Sequence, residues 1–222
     1  MKIERRKLVV AVSAALSSPA FAQFGGLLGF MSGGGGGDVA GQVKAFLEKS
    51  VKIEVTLNKS LLAITAAYAR DEDRAKKQAL FNDLGKQTDP KEAGAKFQEA
   101  YSSNEAEAKK LTESKELEEQ TKKLTVERQQ QVAKGVVNFL VGALQAKLEL
   151  IPVGQGIVQG VGLNPFAIVE VAPLKDALPR LGNAVSLAAT TIPKFISVLR
   201  GANIKVPDVG ADTKEEPMEA IT

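Results

Sequence analysis

Apolar residues recur every three or four positions between Val132 and Ile151. This is the period of an α-helix, so the segment predicts one long helix with a continuous apolar stripe. A stripe of that length must be buried against other helices, and we therefore expect this helix at the centre of the core. Thr125 is expected to cap its start and Pro152 to end it. The stripe consists of Val132, Val136, Phe139, Leu140, Ala143, Leu144, Leu148 and Ile151.

The chain before this stripe predicts three further helices. The first covers residues 38–70. Residues 51–56 within it alternate as a strand would, but the lack of a turn on either side favours helix. The second covers residues 72–84. The third begins at Pro90 and is expected to break or kink at residues 102–104, where two serines precede an asparagine.

The second half of the chain is punctuated by proline and glycine. Residues 150–169 carry no charged side chain. Pro173, Pro179 and Pro193 are expected to divide the remainder into short helices. The predicted fold class is therefore all-α, a single helical bundle over residues 38–206. Its first half has long charged helices, and its second half has short helices interrupted by Pro and Gly.

Residues 1–22 have the order of a cleavable Sec-type signal peptide. A basic cluster precedes an apolar run that is shorter than the roughly 20 residues needed to span a bilayer. The small residues Ala20 and Ala22 then precede the predicted cleavage site. The sequence thus predicts an exported protein, periplasmic or secreted, that begins near Gln23. The glycine-rich residues 23–37 are expected to form a flexible linker.

The predicted signal peptide also holds all of the net charge. The whole chain has 29 basic and 26 acidic residues. Four of the basic residues and one of the acidic residues lie in residues 1–22, so the exported part is formally neutral. This balance gives no support for a nucleic-acid partner, which needs clustered positive charge. The polar, acidic residues 207–222 are expected to be a disordered tail.

The chain contains neither histidine nor cysteine. This composition excludes imidazole and thiolate metal sites, His-based catalytic triads, thiol nucleophiles and disulfides. We therefore expect no cofactor, no metal and no enzymatic activity. One catalytic alternative stays open, a hydrolase that uses Ser or Thr with Lys. A Thr-x-x-Lys spacing occurs at residues 56–59, 112–115 and 191–194, but without a companion motif it is common by chance.

Lysines and glutamates alternate along residues 105–123 at helix-neighbour spacings. Such a pattern predicts a charged surface helix with a solvated lattice of ion pairs, or more sharply a coiled-coil arm. A docking surface of this kind would bind weakly and in a salt-sensitive manner. The glutamates alone could hold a hard cation, but the lysines around them favour the ion-pair interpretation. The candidate interaction residues are Glu105, Lys109, Glu113, Glu116, Glu119 and Lys122.

The uncharged residues 150–169, with the apolar helix before them, admit two interpretations. The first is a buried hairpin whose glycines allow close packing. The second is a membrane-active hairpin or the lining of a pocket for a lipid-like ligand. Gln155 and Gln159 would be costly in lipid, which favours the buried hairpin. The candidate residues of this region are Phe139, Leu140, Leu144, Gly156, Gly160 and Phe166.

Taken together, these features predict an exported, non-enzymatic helical protein that acts by binding or scaffolding in the cell envelope. Its expected partner is another envelope protein or a second copy of itself. The alternative is a carrier of an apolar ligand or a membrane-active protein, for which the partner would be a lipid or a membrane surface.

Overall fold

The computed structural model describes residues 39–87, 90–161, 165–218 and 220–221, and for residues 90–93 and 165–167 it describes the backbone alone. The predicted signal peptide and linker lie outside the described residues. Within those ranges the chain forms helices and no strand, which confirms the predicted all-α helical bundle.

Short connections join the helices of the bundle. In chain order the helices are α1 Val39–Ala67, α2 Asp71–Gly85, α3 Pro90–Glu113, α4 Leu117–Lys123, α5 Val126–Gln145, a π-helical turn Ala146–Leu150, α6 Ile151–Gly160, α7 Pro165–Glu170, α8 Ala172–Thr190 and α9 Ile192–Gly201.

Helix α1 is the central element, because other helices cover it on several sides. It packs against α5 on one side and against α2 and α3 on another. Leu61, Leu62 and Ile64 are consecutive or nearly so, yet all three are fully buried. A surface helix buries only one stripe, so burial around the whole circumference marks α1 as the core helix.

Two apolar clusters share α1. The main core joins α1 to α5, α8 and α9, with Phe139 and Phe195 among its fully buried members. The second cluster joins α1 to α2 and α3. Its buried members are Val51, Leu62, Phe81, Leu84, Phe97 and Ala100.

Glycines on α5 let it approach α1 closely. A Cβ atom added at Gly135 would lie 2.9 Å from the carbonyl oxygen of Ser60 and 2.9 Å from Cγ1 of Ile64. At Gly142 it would lie 3.2 Å from the side chain of Leu57. The two glycines are seven residues apart, so they fall on the same face of α5.

Helix α5 begins where the sequence predicts, but it does not end where the sequence predicts. Thr125 has extended backbone angles and its side chain accepts a hydrogen bond from the Arg128 N–H, as predicted for the cap. Pro152, however, does not end the helix, which runs without interruption from Val126 to Gly160. The π-helical turn before Pro152 is the physical reason, since its wider spacing accommodates the missing N–H and the bulk of the ring.

Two other predicted breaks are also absent from the described helices. Helix α3 continues through residues 102–104, because Asn104 turns its side chain onto its own helix and donates to the Ala100 carbonyl oxygen over 2.7 Å. Pro179 lies inside α8 rather than dividing it. Residues 51–56, which alternate as a strand would, are part of α1.

The described residues of the acidic tail lie against the bundle, and the disorder of the tail stays a prediction. After α9 the backbone turns at Asn203, which has a φ of 59°, and Val206 is buried in the main core. The following residues have no helix, but they lie along the bundle and bond to α1 and α5. Composition predicts disorder because apolar residues are sparse there, and the bonds to α1 and α5 come instead from the Glu215 carboxylate and the Glu216 main chain.

Candidate functional site

The C-terminal segment forms a strap across the outside of the bundle. We use "strap" for residues 207–218 and 220–221, and "strap groove" for the side chains of α1, α2 and α5 that hold it. The strap groove consists of Thr56, Lys59, Gln78, Lys134 and Asn138.

The Asn138 side chain binds the main chain of the strap through two hydrogen bonds. Its side-chain amide donates to the Glu216 carbonyl oxygen over 2.7 Å, and its side-chain oxygen accepts from the Glu216 N–H over 2.6 Å. Asn138 lies on α5 between the buried Val137 and Phe139, and it is only 2% exposed. A buried amide is costly unless its hydrogen bonds are made, so the strap supplies what this residue needs.

A carboxylate of the strap is bound beside Asn138. The Thr56 hydroxyl donates to both carboxylate oxygens of Glu215, over 3.1 and 3.2 Å. Lys59 adds a positive charge, and its ammonium also lies 4.0 Å from the centre of the Phe81 ring. Burial lowers the pKa of Lys59, and the nearby Glu215 carboxylate partly offsets that shift.

The end of the strap is held by apolar packing and by two more main-chain bonds. Met218 and Ile221 pack against the second cluster. The Ile221 N–H donates to the Gln78 side-chain oxygen over 2.5 Å, and Lys134 donates to the Pro217 carbonyl oxygen over 3.5 Å. A cavity of about 280 Å³ remains between strap and bundle, lined by Val55, Thr56, Lys59, Asn138, Glu215, Glu216, Pro217 and Met218.

This arrangement combines two kinds of recognition. Bonds to the main chain at three strap residues are independent of side-chain identity. The carboxylate contact and the two apolar anchors depend on it. Peptide-binding sites use the same division, in which main-chain bonds give affinity and side-chain pockets give specificity.

The predicted charged surface is divided between two helices. Glu113 ends α3, and Glu116 and Glu119 lie before and within α4. Lys109 pairs with Glu105 over 2.6 Å, and Lys122 pairs with Glu118 over 2.6 Å. The single charged helix expected over residues 105–123 is therefore wrong, because a turn at residues 114–116 interrupts it. The docking role of this surface stays a prediction.

The residues of the predicted apolar region fall into two groups, one buried in the main core and one outside it. Phe139 and Leu144 are buried in the main core, and Leu140 is half-buried against it. The Cβ position of Gly160 has no described atom within 4 Å, so this glycine makes no close helix contact. Gly154 makes that contact instead, with its Cβ position 2.7 Å from the Phe46 ring. The remaining members are Gly156, which is half-buried, and Phe166, whose side chain lies outside the described residues.

The uncharged stretch is only partly buried. Pro152, Gln155 and Gln159 face outward on α6, and Ile168 and Val169 on α7 are 39% and 74% exposed. The helix Val126–Gly160 is long and apolar enough to cross a membrane, but 56% of its most apolar window is buried inside the bundle. That burial is typical of a core helix.

The Thr–Lys alternative stays a prediction, and the first of its three spacings lies in the strap groove. Thr56 and Lys59 both lie in the strap groove, where the Thr56 hydroxyl is bonded to Glu215. A different pair is bonded directly, since Lys77 donates to the Thr65 hydroxyl over 3.1 Å. Thr65 is fully buried and also donates to Asn104, so a substrate cannot reach it.

No protein-family model, curated protein or solved structure matches this chain. The fold and the site define an all-α bundle that holds a non-helical stretch of its own polypeptide in a surface groove. Sequence reasoning missed this groove. The available indication was Asn138, an amide between Val137 and Phe139 in the most apolar helix of the chain, where a buried polar residue needs a partner.

Proposed function

We propose that the protein is an exported, non-enzymatic helical bundle that binds an envelope protein through the strap groove. The observation that carries the proposal is the double hydrogen bond between Asn138 and the main chain of Glu216. Recognition of polypeptide main chain in this way supports binding of a protein segment rather than of a small molecule.

The position of Asn138 supports this proposal. An apolar residue would suit this buried position of α5 better if packing were its only task, because burying an amide gains nothing by itself. Thr56, Lys59 and Lys134 supply donors around it, and among the described residues no acidic side chain of the helices lines the same cavity. This set of groups favours a polypeptide segment that carries a carboxylate.

A second candidate function, contact with a lipid surface, is favoured by the exposed Val169 and Ile168 in a stretch without charge. Flotation with liposomes tests it. Binding that is lost on Val169→Glu would support this role, and a protein that stays at the bottom of the gradient would contradict it.

A photo-crosslinking amino acid tests the main proposal. It is placed at Lys134, on the rim of the groove, and in a matched variant at Glu119, which is exposed on α4. In cells that export the protein, the Lys134 position is expected to give a discrete adduct with another protein, and Asn138→Ala is expected to remove that adduct. Adducts from Glu119 alone would contradict the proposal and move binding to the charged surface.

A further inference from the structure

Resting on this proposed function, we infer that the strap is an intramolecular competitor, and that the partner supplies an extended acidic segment of the same chemistry as residues 215–221. The strap is the one polypeptide that the structure shows in the groove. The contacts of the strap therefore indicate which chemical groups a competing segment from another protein must present to the groove.

The contacts define a short recognition pattern. The first position carries a carboxylate, because the Thr56 hydroxyl donates to the Glu215 carboxylate and the positive charge of Lys59 lies nearby. The second offers both its N–H and its carbonyl to Asn138. The third needs only a carbonyl oxygen for Lys134, so proline is accepted there, as Pro217 shows.

Two apolar side chains complete the pattern. They stand at the fourth and seventh positions, occupied by Met218 and Ile221, and rest on the second cluster. Gln78 accepts the N–H of the seventh position. A segment with an acidic residue followed three and six residues later by apolar side chains satisfies every contact.

The strap is attached in a way that allows it to leave. Val206 is the last strongly buried residue before it. Residues 207–214 have no helix and are mostly exposed, with Val209 packed against the main core, and the Cβ position of Gly210 has no described atom within 4 Å. The Arg200–Asp208 ion pair in this stretch lies at the surface, where such pairs contribute little. Release of residues 213–221 therefore leaves the main core intact.

The tether makes the strap a strong competitor. A short flexible connection gives an effective concentration on the order of 1 mM. For a segment whose own Kd is about 1 µM, an occupied groove weakens binding of a free competitor roughly a thousandfold. Binding by a partner is consequently low until the strap is displaced.

The test uses the full-length exported protein and a fluorescent peptide with the sequence of residues 212–222. The double variant Met218→Asp, Ile221→Asp releases the strap without shortening the chain, because it places two carboxylates against the second cluster. Glu215→Lys, which sets a second positive charge beside Lys59, is an independent release variant. Fluorescence anisotropy is expected to show at least hundredfold tighter peptide binding by both release variants than by the wild type.

Asn138→Ala in the release background is expected to abolish this binding, and the matched surface change Gln98→Ala is expected to leave it unchanged. Equal binding by wild type and release variants would overturn the competitor role. Release variants that keep their helical circular dichroism and ignore the peptide would overturn the recognition pattern. If the Lys134 crosslink to another protein persists in that case, the proposed function stands and only the recognition pattern is wrong. If the crosslink is absent while the peptide still binds, the recognition pattern stands and the proposed envelope-protein partner is wrong.

Discussion

The Arg180 guanidinium on α8 lies 3.2 Å from a carboxylate oxygen of Glu54 in the middle of α1. The Glu54 side chain is only 6% exposed, and Ser50 donates a further hydrogen bond to it over 3.0 Å. The same guanidinium lies 3.6 Å from the Cβ position of Gly94 on α3. This ion pair therefore joins the first and second halves of the chain.

Removing one partner of this ion pair is expected to lower the free energy of unfolding more than replacing both partners. Arg180→Ala leaves a buried carboxylate without its cation, and we expect a loss of about 3 kcal/mol in the free energy of unfolding. The double variant Glu54→Leu, Arg180→Met replaces the pair with apolar side chains and is expected to lie within about 1 kcal/mol of wild type. Urea denaturation of both variants measures the difference, and equal losses would contradict this account.

The Glu54 carboxyl also makes stability depend on pH. Burial raises its pKa above the ordinary value of 4.5, and the attraction of Arg180 only partly offsets this. The folded state therefore keeps the proton to a higher pH than the unfolded state, so the free energy of unfolding falls as pH rises above 4.5 toward the raised pKa. Wild type should lose stability relative to Glu54→Gln as the pH rises above 4.5. A constant difference between the two proteins would refute the assignment.

The two tyrosines of the chain are expected to respond differently to loss of the hydroxyl. The Tyr68 hydroxyl lies 2.8 Å from the Thr121 hydroxyl, whereas the buried Tyr101 hydroxyl has no hydrogen-bond partner among the described residues. Burial raises the pKa of Tyr68 to about 12 and raises that of Tyr101 further. Tyr68→Phe should cost about 1 kcal/mol, and Tyr101→Phe should be neutral or stabilising. Thermal unfolding of the two variants measures this difference. A larger loss of stability for Tyr101→Phe than for Tyr68→Phe would contradict the assigned hydrogen bonding.

Close packing of α5 on α1 predicts a sensitive glycine and an insensitive one. Gly135→Ala places a methyl group 2.9 Å from the main-chain oxygen of Ser60, which cannot move alone, and a loss of about 1–3 kcal/mol is expected. Gly182 on α8 has no described atom within 4 Å of its Cβ position, so Gly182→Ala should gain roughly 0.5–1 kcal/mol from helix propensity. Similar melting temperatures for the two variants would mean that α5 and α1 are farther apart than the structure shows.

The sequence predicted the features that depend on local pattern. The apolar stripe located α5, and Thr125 located its start, because periodicity and capping act within one or two turns. The breaks expected at residues 102–104 and at Pro152 are wrong because tertiary or helical adjustments override local preference. Asn104 makes bonds to Ala100 and Thr65, and a π-helical turn absorbs the proline.

The candidate site was beyond reach of the same reasoning. Its groups lie on three helices and on a strap that meets Asn138 from 78 residues further along the chain, and no spacing along the chain relates them. The acidic composition of residues 207–222 concealed the apolar anchors Met218 and Ile221, because sparse anchors do not alter an average. The predicted surface around Glu105 and Lys122, by contrast, rests on local charge pattern alone and awaits the crosslinking comparison.

Hydrogen exchange of the strap amides tests the central claim most directly. In the full-length protein the Glu216 N–H is bound to the Asn138 side chain, so its exchange is predicted to be slow compared with a free peptide of residues 212–222. Asn138→Ala is predicted to return it to the peptide rate, while the surface change Gln98→Ala leaves it protected. Exchange at the free-peptide rate in the wild-type protein would show that the groove does not hold polypeptide main chain, and would contradict the account.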